Sequence, residues 1–263
     1  MRSKSIVLGM LVLVCLTRFT FASECPDHPG AIGTSRDLLI DPREHPRIGS
    51  MQYSDTLPLE DHEVVLSFDD GPLSPSTNRV LDTLASQCVK ATFFIIGSMA
   101  SGEPRLVQRA YDEGHTIGTH TQNHPLRLSR LPDDAQLKEI DDGIASVTAA
   151  LGETRSVAPF FRFPGLVHPP SAEAHLASLG IMVWSADVVA DDWKKISPQE
   201  VLRRVLSRLE RKGRGVLLLH DMQRRTASAL PGLLRALNAR GFRIVHVVPV
   251  DTNPPAATAA HGP

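Results

Sequence analysis

From Glu63 onward the sequence repeats one pattern, a short and wholly apolar run closed by turn residues, then a longer segment with apolar residues three and four apart. Val216-Leu217-Leu218-Leu219 is the clearest such run. Because it does not alternate with polar residues, it reads as a strand buried on both faces, and only a mostly parallel sheet covered by helices offers that environment. The pattern therefore predicts β-α units. Strands are expected at 64–68, 91–96, 116–119, 160–163, 182–185, 215–219 and 243–247, and helices at 77–87, 104–113, 133–151, 171–179, 198–212 and 227–240. Ser197-Pro198-Gln199-Glu200 supplies a helix N-cap with Pro at the first helical position, and Gly114, Gly180, Gly213 and Gly241 sit where helices should stop. A β/α barrel of about seven parallel strands and an open doubly wound sheet both fit. In either, the active site lies at the carboxyl ends of the strands.

The ends of the chain read differently. Arg2 and Lys4 precede an apolar run from Ile6 to Leu16, and Thr20 and Ala22 suit cleavage, so residues 1–22 read as a secretory signal peptide. The run falls short of the ~20 residues that span a bilayer, so no stable membrane span is expected after cleavage, with an uncleaved anchor as the alternative. Losing Arg2, Lys4 and Arg18 with it moves the formal charge from −1 to −4. Residues 23–62, rich in Pro and Gly, read as an extended N-terminal arm, residues 63–250 as the domain, and 251–263 as a disordered tail. Hydrophobic residues at 42% and charged residues at 22% describe a globular chain without the basic excess of a nucleic-acid binder, so no nucleic-acid partner is expected. An exported chain retaining Cys25 and Cys88 could join them in one disulfide, contributing about 4 kcal/mol on the loop-entropy argument, or carry two thiols.

Chemistry gathers where the apolar runs end. Ser67-Phe68-Asp69-Asp70-Gly71-Pro72 closes the first run with two adjacent carboxylates, which by themselves could be no more than turn chemistry. His120-Thr121-Gln122-Asn123-His124 follows the third run; the spacing predicts two imidazoles on one helical face, close enough to share a metal. One carboxylate with two imidazoles leaves a fourth position open for water, as catalytic metal sites do. Arg162 lies among apolar residues in Phe161-Arg162-Phe163-Pro164-Gly165 and needs an anion if buried. Trp184-Ser185-Ala186-Asp187 leads on to Asp191-Asp192-Trp193, and the sixth run ends in Leu218-Leu219-His220-Asp221. Singly these have structural explanations, an ion pair for Arg162, a core position for Trp193 and a satisfied histidine for His220. Together they place acids, imidazoles and a cation at the ends of separate strands.

From about Glu63 to Pro249 the chain resembles the polysaccharide deacetylases with a NodB-like domain, carbohydrate esterase family 4. Five ordered motifs carry the resemblance: Ser67 to Pro72, His120 to His124, Arg162-Phe163-Pro164, Asp192-Trp193 and Leu218-Leu219-His220. It implies a distorted (β/α) barrel, usually of seven strands, and a divalent metal, most often zinc, held by Asp70, His120 and His124. It further implies Asp69 as general base, His220 as the acid that protonates the departing amine, Asp192 orienting His220, and Arg162 orienting Asp69 in its ionised form. Gly165 would offer a backbone N–H to the oxyanion, while Trp193 and Leu218 would wall the acetyl pocket. Two features depart from the family pattern. Gly165 stands where an aromatic residue is common, which removes a sugar-facing wall, and the segment between Trp184 and Trp193 is long, leaving Asp187, Asp191 and Asp192 as rivals for the histidine-orienting role.

The implied activity is metal-dependent removal of N-acetyl groups from an amino-sugar glycan, such as a chitooligosaccharide, peptidoglycan or an exported polysaccharide, by a secreted or periplasmic hydrolase. The partner would be an acetylated amino-sugar oligo- or polysaccharide. An O-acetyl ester hydrolase of the same family and a catalytically inactive glycan-binding module are the alternatives. A magnesium-dependent phosphotransferase would leave the two histidines without a role and lacks a phosphate-cradling Gly-rich loop.

Overall fold

A computed structural model of the chain describes Cys25 and residues 28–250; the expected signal peptide and C-terminal tail lie outside them. Along the chain run β1 (Thr34–Ile40), β2 (Arg47–Ile48), β3 (Glu63–Asp69), α1 (Ser76–Ser86), β4 (Thr92–Ile95), α2 (Gly97–Gly102), α3 (Pro104–Asp112) and β5 (Thr116–Thr119). These are followed by α4 (Asp133–Leu151), β6 (Phe160–Phe161), α5 (Pro170–Ser178), β7 (Met182–Trp184), β8 (Val188–Val189), α6 (Pro198–Lys212), β9 (Gly215–His220), α7 (Arg224–Ala239) and β10 (Arg243–Pro249). Short 3-10 turns occupy Leu128–Arg130 and Pro164–Leu166.

Every strand pair is parallel. Pairing runs β9-β3-β4-β5-β6-β7 without interruption, with β8 beyond β9 and β2 beyond β7. No pairing joins β7 to β8, so the barrel is distorted and stays open at that seam. All seven residues of β3 are buried, as a strand covered on both faces requires. The outward residues Val64, Leu66, Phe68, Leu217 and Leu219 pack in the larger apolar layer with Leu230, Leu233 and Leu234 of α7. Val65, Val216, Phe94, Phe160 and Trp184 fill the interior.

The seven expected strands are present, and three more join them. Two come from the stretch expected to be an extended arm: β1 pairs with β10 from Thr34 to Ile40, and β2 pairs with β7 at Arg47 and Ile48. The Pro and Gly around both hid the strand signal, and β2 is only two residues long. The arm is anchored by Arg36, which donates twice to the buried Glu63 carboxylate (2.7 and 2.8 Å), and by a Cys25–Cys88 disulfide. β10 pairs with β3 only at Arg243 and Ile244, and otherwise serves β1. Helix α2 was missed because six residues bounded by glycines carry no readable period. α6 starts as expected, with the Ser197 hydroxyl accepting the Glu200 amide (3.1 Å) and Pro198 at its first position. Among the described residues, no helix is long and apolar enough to cross a membrane.

Candidate active site

The period of two along β3 builds the first part of the site. With Val65 turned inward, Ser67 and Asp69 share its face and meet Arg162, which enters from the end of β6. The Arg162 guanidinium is fully buried, donates to Asp69 Oδ1 (2.6 Å), Ser67 Oγ (2.9 Å) and the Ser185 carbonyl (3.0 Å), and lies 4.2 Å from the centre of the Phe94 ring. A cation so enclosed is tolerable only because an anion and two further acceptors face it.

Asp70, one residue past the strand, has φ 76° and so turns away from its neighbour. Its Oδ1 is buried with no hydrogen-bond partner, while His120 Nε2 and His124 Nε2 stand 3.4 and 3.2 Å from it. The ligating atoms of Asp70, His120 and His124 all fall within 4.8 Å of one another. Bonds of about 2.0–2.2 Å to one tetrahedral ion separate neighbouring ligand atoms by about 3.3 Å, so the donor set fits a divalent cation. His120 Nδ1 donates to the Arg162 carbonyl (2.6 Å), which fixes the tautomer that leaves Nε2 free to ligate. Burial works to raise the Asp70 carboxyl, but the three histidines around it hold it down to about 2. Burial lowers His124, which favours the neutral imidazole a metal needs.

The two histidines do not share a helix face, contrary to the spacing argument. They lie in the loop after β5, where Thr121 and His124 take positive φ (62° and 55°). The loop's backbone bonds go elsewhere: Gly97 donates to the Thr121 carbonyl, Ser98 to the Gln122 carbonyl, and Gln122 to the Glu139 carbonyl of α4. A turn wedged between α2 and α4 thus does what a helical repeat was expected to do.

His220 ends β9 on the inward face. Its Nδ1 contacts Asp192 Oδ1 (2.7 Å), and the same carboxylate accepts the His220 amide (2.8 Å) and the Thr226 hydroxyl. Burial would lower this imidazole, yet Asp192, helped by Asp69 and Asp70, raises it to about 9. These carboxylates favour its cationic form, and its Nε2 lies 3.9 Å from Asp70 Oδ2. The rival acids face other ways. Asp187 accepts the amides of Ser50 and Val216, and Asp191 meets Lys194, Arg204 and Arg208.

Asp69, Asp70, His120, His124, Gly165, Trp193, Leu218 and His220 all line one cleft of about 590 Å³. Arg162 and Asp192 stand behind it, each holding a lining residue. Trp193 meets His220 edge-on, with ring centroids 5.6 Å apart. Sequence reasoning overlooked Met51 and Leu126, which also line the cleft, and Asp221 beneath it. The buried Asp221 carboxylate accepts the Gly71 amide (3.0 Å) and the Thr77 hydroxyl (2.5 Å). Its signal was the acid directly after His220 in a strand that should have ended.

A family model described as polysaccharide deacetylase matches residues 57–184. The chain is 34% identical over 186 residues to the peptidoglycan-N-acetylglucosamine deacetylase PgdA of Listeria monocytogenes, covering 70% of this chain and 38% of that protein. It thus spans about two fifths of that relative's length. It is 33% identical over 196 residues to a chitooligosaccharide deacetylase of Sinorhizobium fredii, covering 69% of this chain and 88% of that one. Among solved structures, a peptidoglycan deacetylase of Bdellovibrio bacteriovorus superposes with a TM-score of 0.75 at 30% identity, over 85% of this chain and 62% of that one. The match to nearly the whole of the Sinorhizobium protein, and the gathering of all five motifs at one end of the barrel, lead to one conclusion: the chain belongs to the polysaccharide deacetylase family.

Proposed function

We propose that this chain is an exported, zinc-dependent hydrolase that removes N-acetyl groups from an amino-sugar glycan. The observation that carries the reading is the meeting, in one cleft, of a three-residue cation site with a buried Asp-Arg pair on one flank and a raised-pKa His-Asp pair on the other. The relatives' names, peptidoglycan-N-acetylglucosamine deacetylase and chitooligosaccharide deacetylase, support the substrate class. The Cys25–Cys88 disulfide supports an oxidising compartment, and with it the secreted or periplasmic location.

Asp70, His120 and His124 would hold the ion, which when bound polarises the acetamide carbonyl and acidifies a water. Asp69, fixed by Arg162, takes the proton from that water as it attacks the carbonyl carbon. The backbone N–H of Gly165 faces the developing negative charge. His220, kept cationic by Asp192, gives its proton to the nitrogen as the C–N bond breaks, so a neutral amine leaves and acetate remains. Trp193 and Leu218 enclose the acetyl methyl.

The test is acetate release from an N-acetylated chitooligosaccharide by the zinc-loaded protein, with metal analysis of the purified chain. Release by the wild type and its loss in Asp69→Asn support the reading; glycan binding without release by the wild type would favour a binding module instead. A rate on acetylated xylan exceeding that on the amide substrate would favour an ester hydrolase.

A further inference from the structure

Large apolar side chains exposed to solvent are few among the described residues, and three of them, Met51 (49% exposed), Leu126 (64%) and Trp193 (47%), line the catalytic cleft together. Such exposure, collected in one concave place, marks a surface that a ligand covers. Two of the three come from segments with no assigned part in the chemistry. Leu126 follows the histidine loop, and among the described residues its Cδ2 is the nearest heavy atom, beyond Gly165's own chain neighbours, to where a Cβ on Gly165 would lie, at 3.6 Å. It therefore stands over the position where the wall-forming side chain is missing.

Met51 comes from the turn after β2, ahead of the residues matched by the family model. That turn is rigidly seated. The Met51 amide donates to the Ala186 carbonyl (3.0 Å), Ser50 donates through its amide and hydroxyl to Asp187 (3.0 and 2.6 Å), and a Cβ on Gly49 would meet the backbone of Ser185 and Ala186 at 2.7 Å. The Gln52 side-chain amide also donates to the Leu166 carbonyl, tying the turn to the loop that carries Gly165.

We propose that Leu126 and Met51 are the sugar-contacting walls of the cleft, taking over from the absent side chain at residue 165 and gripping the apolar C–H faces of pyranose rings in an oligomeric substrate. The assignment rests on the deacetylase reading. Both side chains sit at the rim, outside the cluster that meets the acetamide, so they distinguish a chain of sugars from a single one. The backbone that carries Met51 is already seated before binding and so loses little freedom when a ring docks, and the contact is made equally in ground and transition states.

The test compares Met51→Ala and Leu126→Ala with the conservative Met51→Leu and Leu126→Met, on an N-acetylated chitooligosaccharide of several units and on the N-acetylglucosamine monomer. Each alanine variant should raise KM on the oligomer with kcat kept, and lower the oligomer-over-monomer preference in kcat/KM by about tenfold, as loss of an apolar pocket contact does. The conservative variants should recover most of it. Unchanged KM and preference, with thermal midpoints equal to wild type, would overturn the wall assignment while leaving the deacetylase reading intact. Absence of acetate release from either sugar by the wild type would overturn both.

Discussion

The Asp221 carboxylate, at the end of β9, holds the Gly71 amide across 150 residues of sequence, and with it the turn that displays Asp69 and Asp70. Gly71 leaves no room for another side chain there, since a Cβ would fall 2.0 Å from Asp221 Oδ2. The Thr77 hydroxyl donates to the same carboxylate and accepts the Leu73 amide, so one buried acid fixes both ends of the turn. Asp221→Ala would strand two buried donors at about 1–3 kcal/mol each and lower zinc affinity by about 10–100-fold. Thermal unfolding and zinc titration measure the two effects; a variant with wild-type affinity would show that the turn holds itself.

Asp69→Asn should reduce acetate release by at least about 10²–10⁴-fold while leaving zinc bound at wild-type stoichiometry. The Arg162 contact to Oδ1 can survive the substitution, since an amide oxygen still accepts it. Metal analysis beside the acetate assay separates loss of the base from loss of the ion. Full activity would remove Asp69 from the mechanism.

The rate should fall on the alkaline side as His220 loses its proton near pH 9. Stability follows the same group. Its folded pKa lies above the ordinary 6.5, so the stabilisation is complete below about pH 6.5 and is lost as pH rises through about 9. Asp192→Asn keeps an acceptor for Nδ1 but removes the charge, and should move the alkaline limb of the rate profile to lower pH. An unmoved limb would assign it to another group.

Chelation should abolish acetate release and lower the thermal midpoint, and zinc at a hundred times its Kd should restore about 2.7 kcal/mol. His124→Ala removes one of the three candidate ligands, and its midpoint should no longer respond to zinc. An unchanged response would place the ion elsewhere.

Cys88→Ser opens a link between residues 63 apart and should cost about 4 kcal/mol on the loop-entropy argument. Denaturant unfolding of the oxidised wild type and the variant measures it. A difference near zero would mean that the Arg36–Glu63 contact and β1 already hold the segment in place.

Much of the candidate site was legible because Asp69, Asp70 and His220 close apolar runs, and such an ending is visible without coordinates. Asp69 and His220 are strand residues whose direction follows from alternation, and Asp70 is released by the turn that Gly71-Pro72 announces. Asp192 could not be chosen over its rivals from sequence, since adjacent acids look alike. The choice is made by φ 57° at Asp191, which sends that side chain to the cations of α6 and the next one to His220. The mode of joining His120 to His124 was misread for a related reason. A four-residue spacing fits a helix, but here neighbouring elements take the backbone bonds that a helix would need. Asp221 escaped because its duty is to a backbone amide, and no pattern of side chains records that.

The open seam between β7 and β8 bears on where this protein can be cut. Ile48 accepts the Ser185 amide (2.7 Å), Ala186 accepts that of Met51, and Pro46 accepts that of Val183 (2.9 Å), so residues 46–51 line the free edge of β7. A fragment begun at residue 57, where the family match starts, and carried on through β10 would bare that edge of β7 and separate buried Glu63 from Arg36. Such a piece would keep every residue of the candidate site except Met51 yet present an unpaired strand edge ready to recruit another copy of itself. A stable unit should therefore begin before β1, well ahead of the first residue of the candidate site.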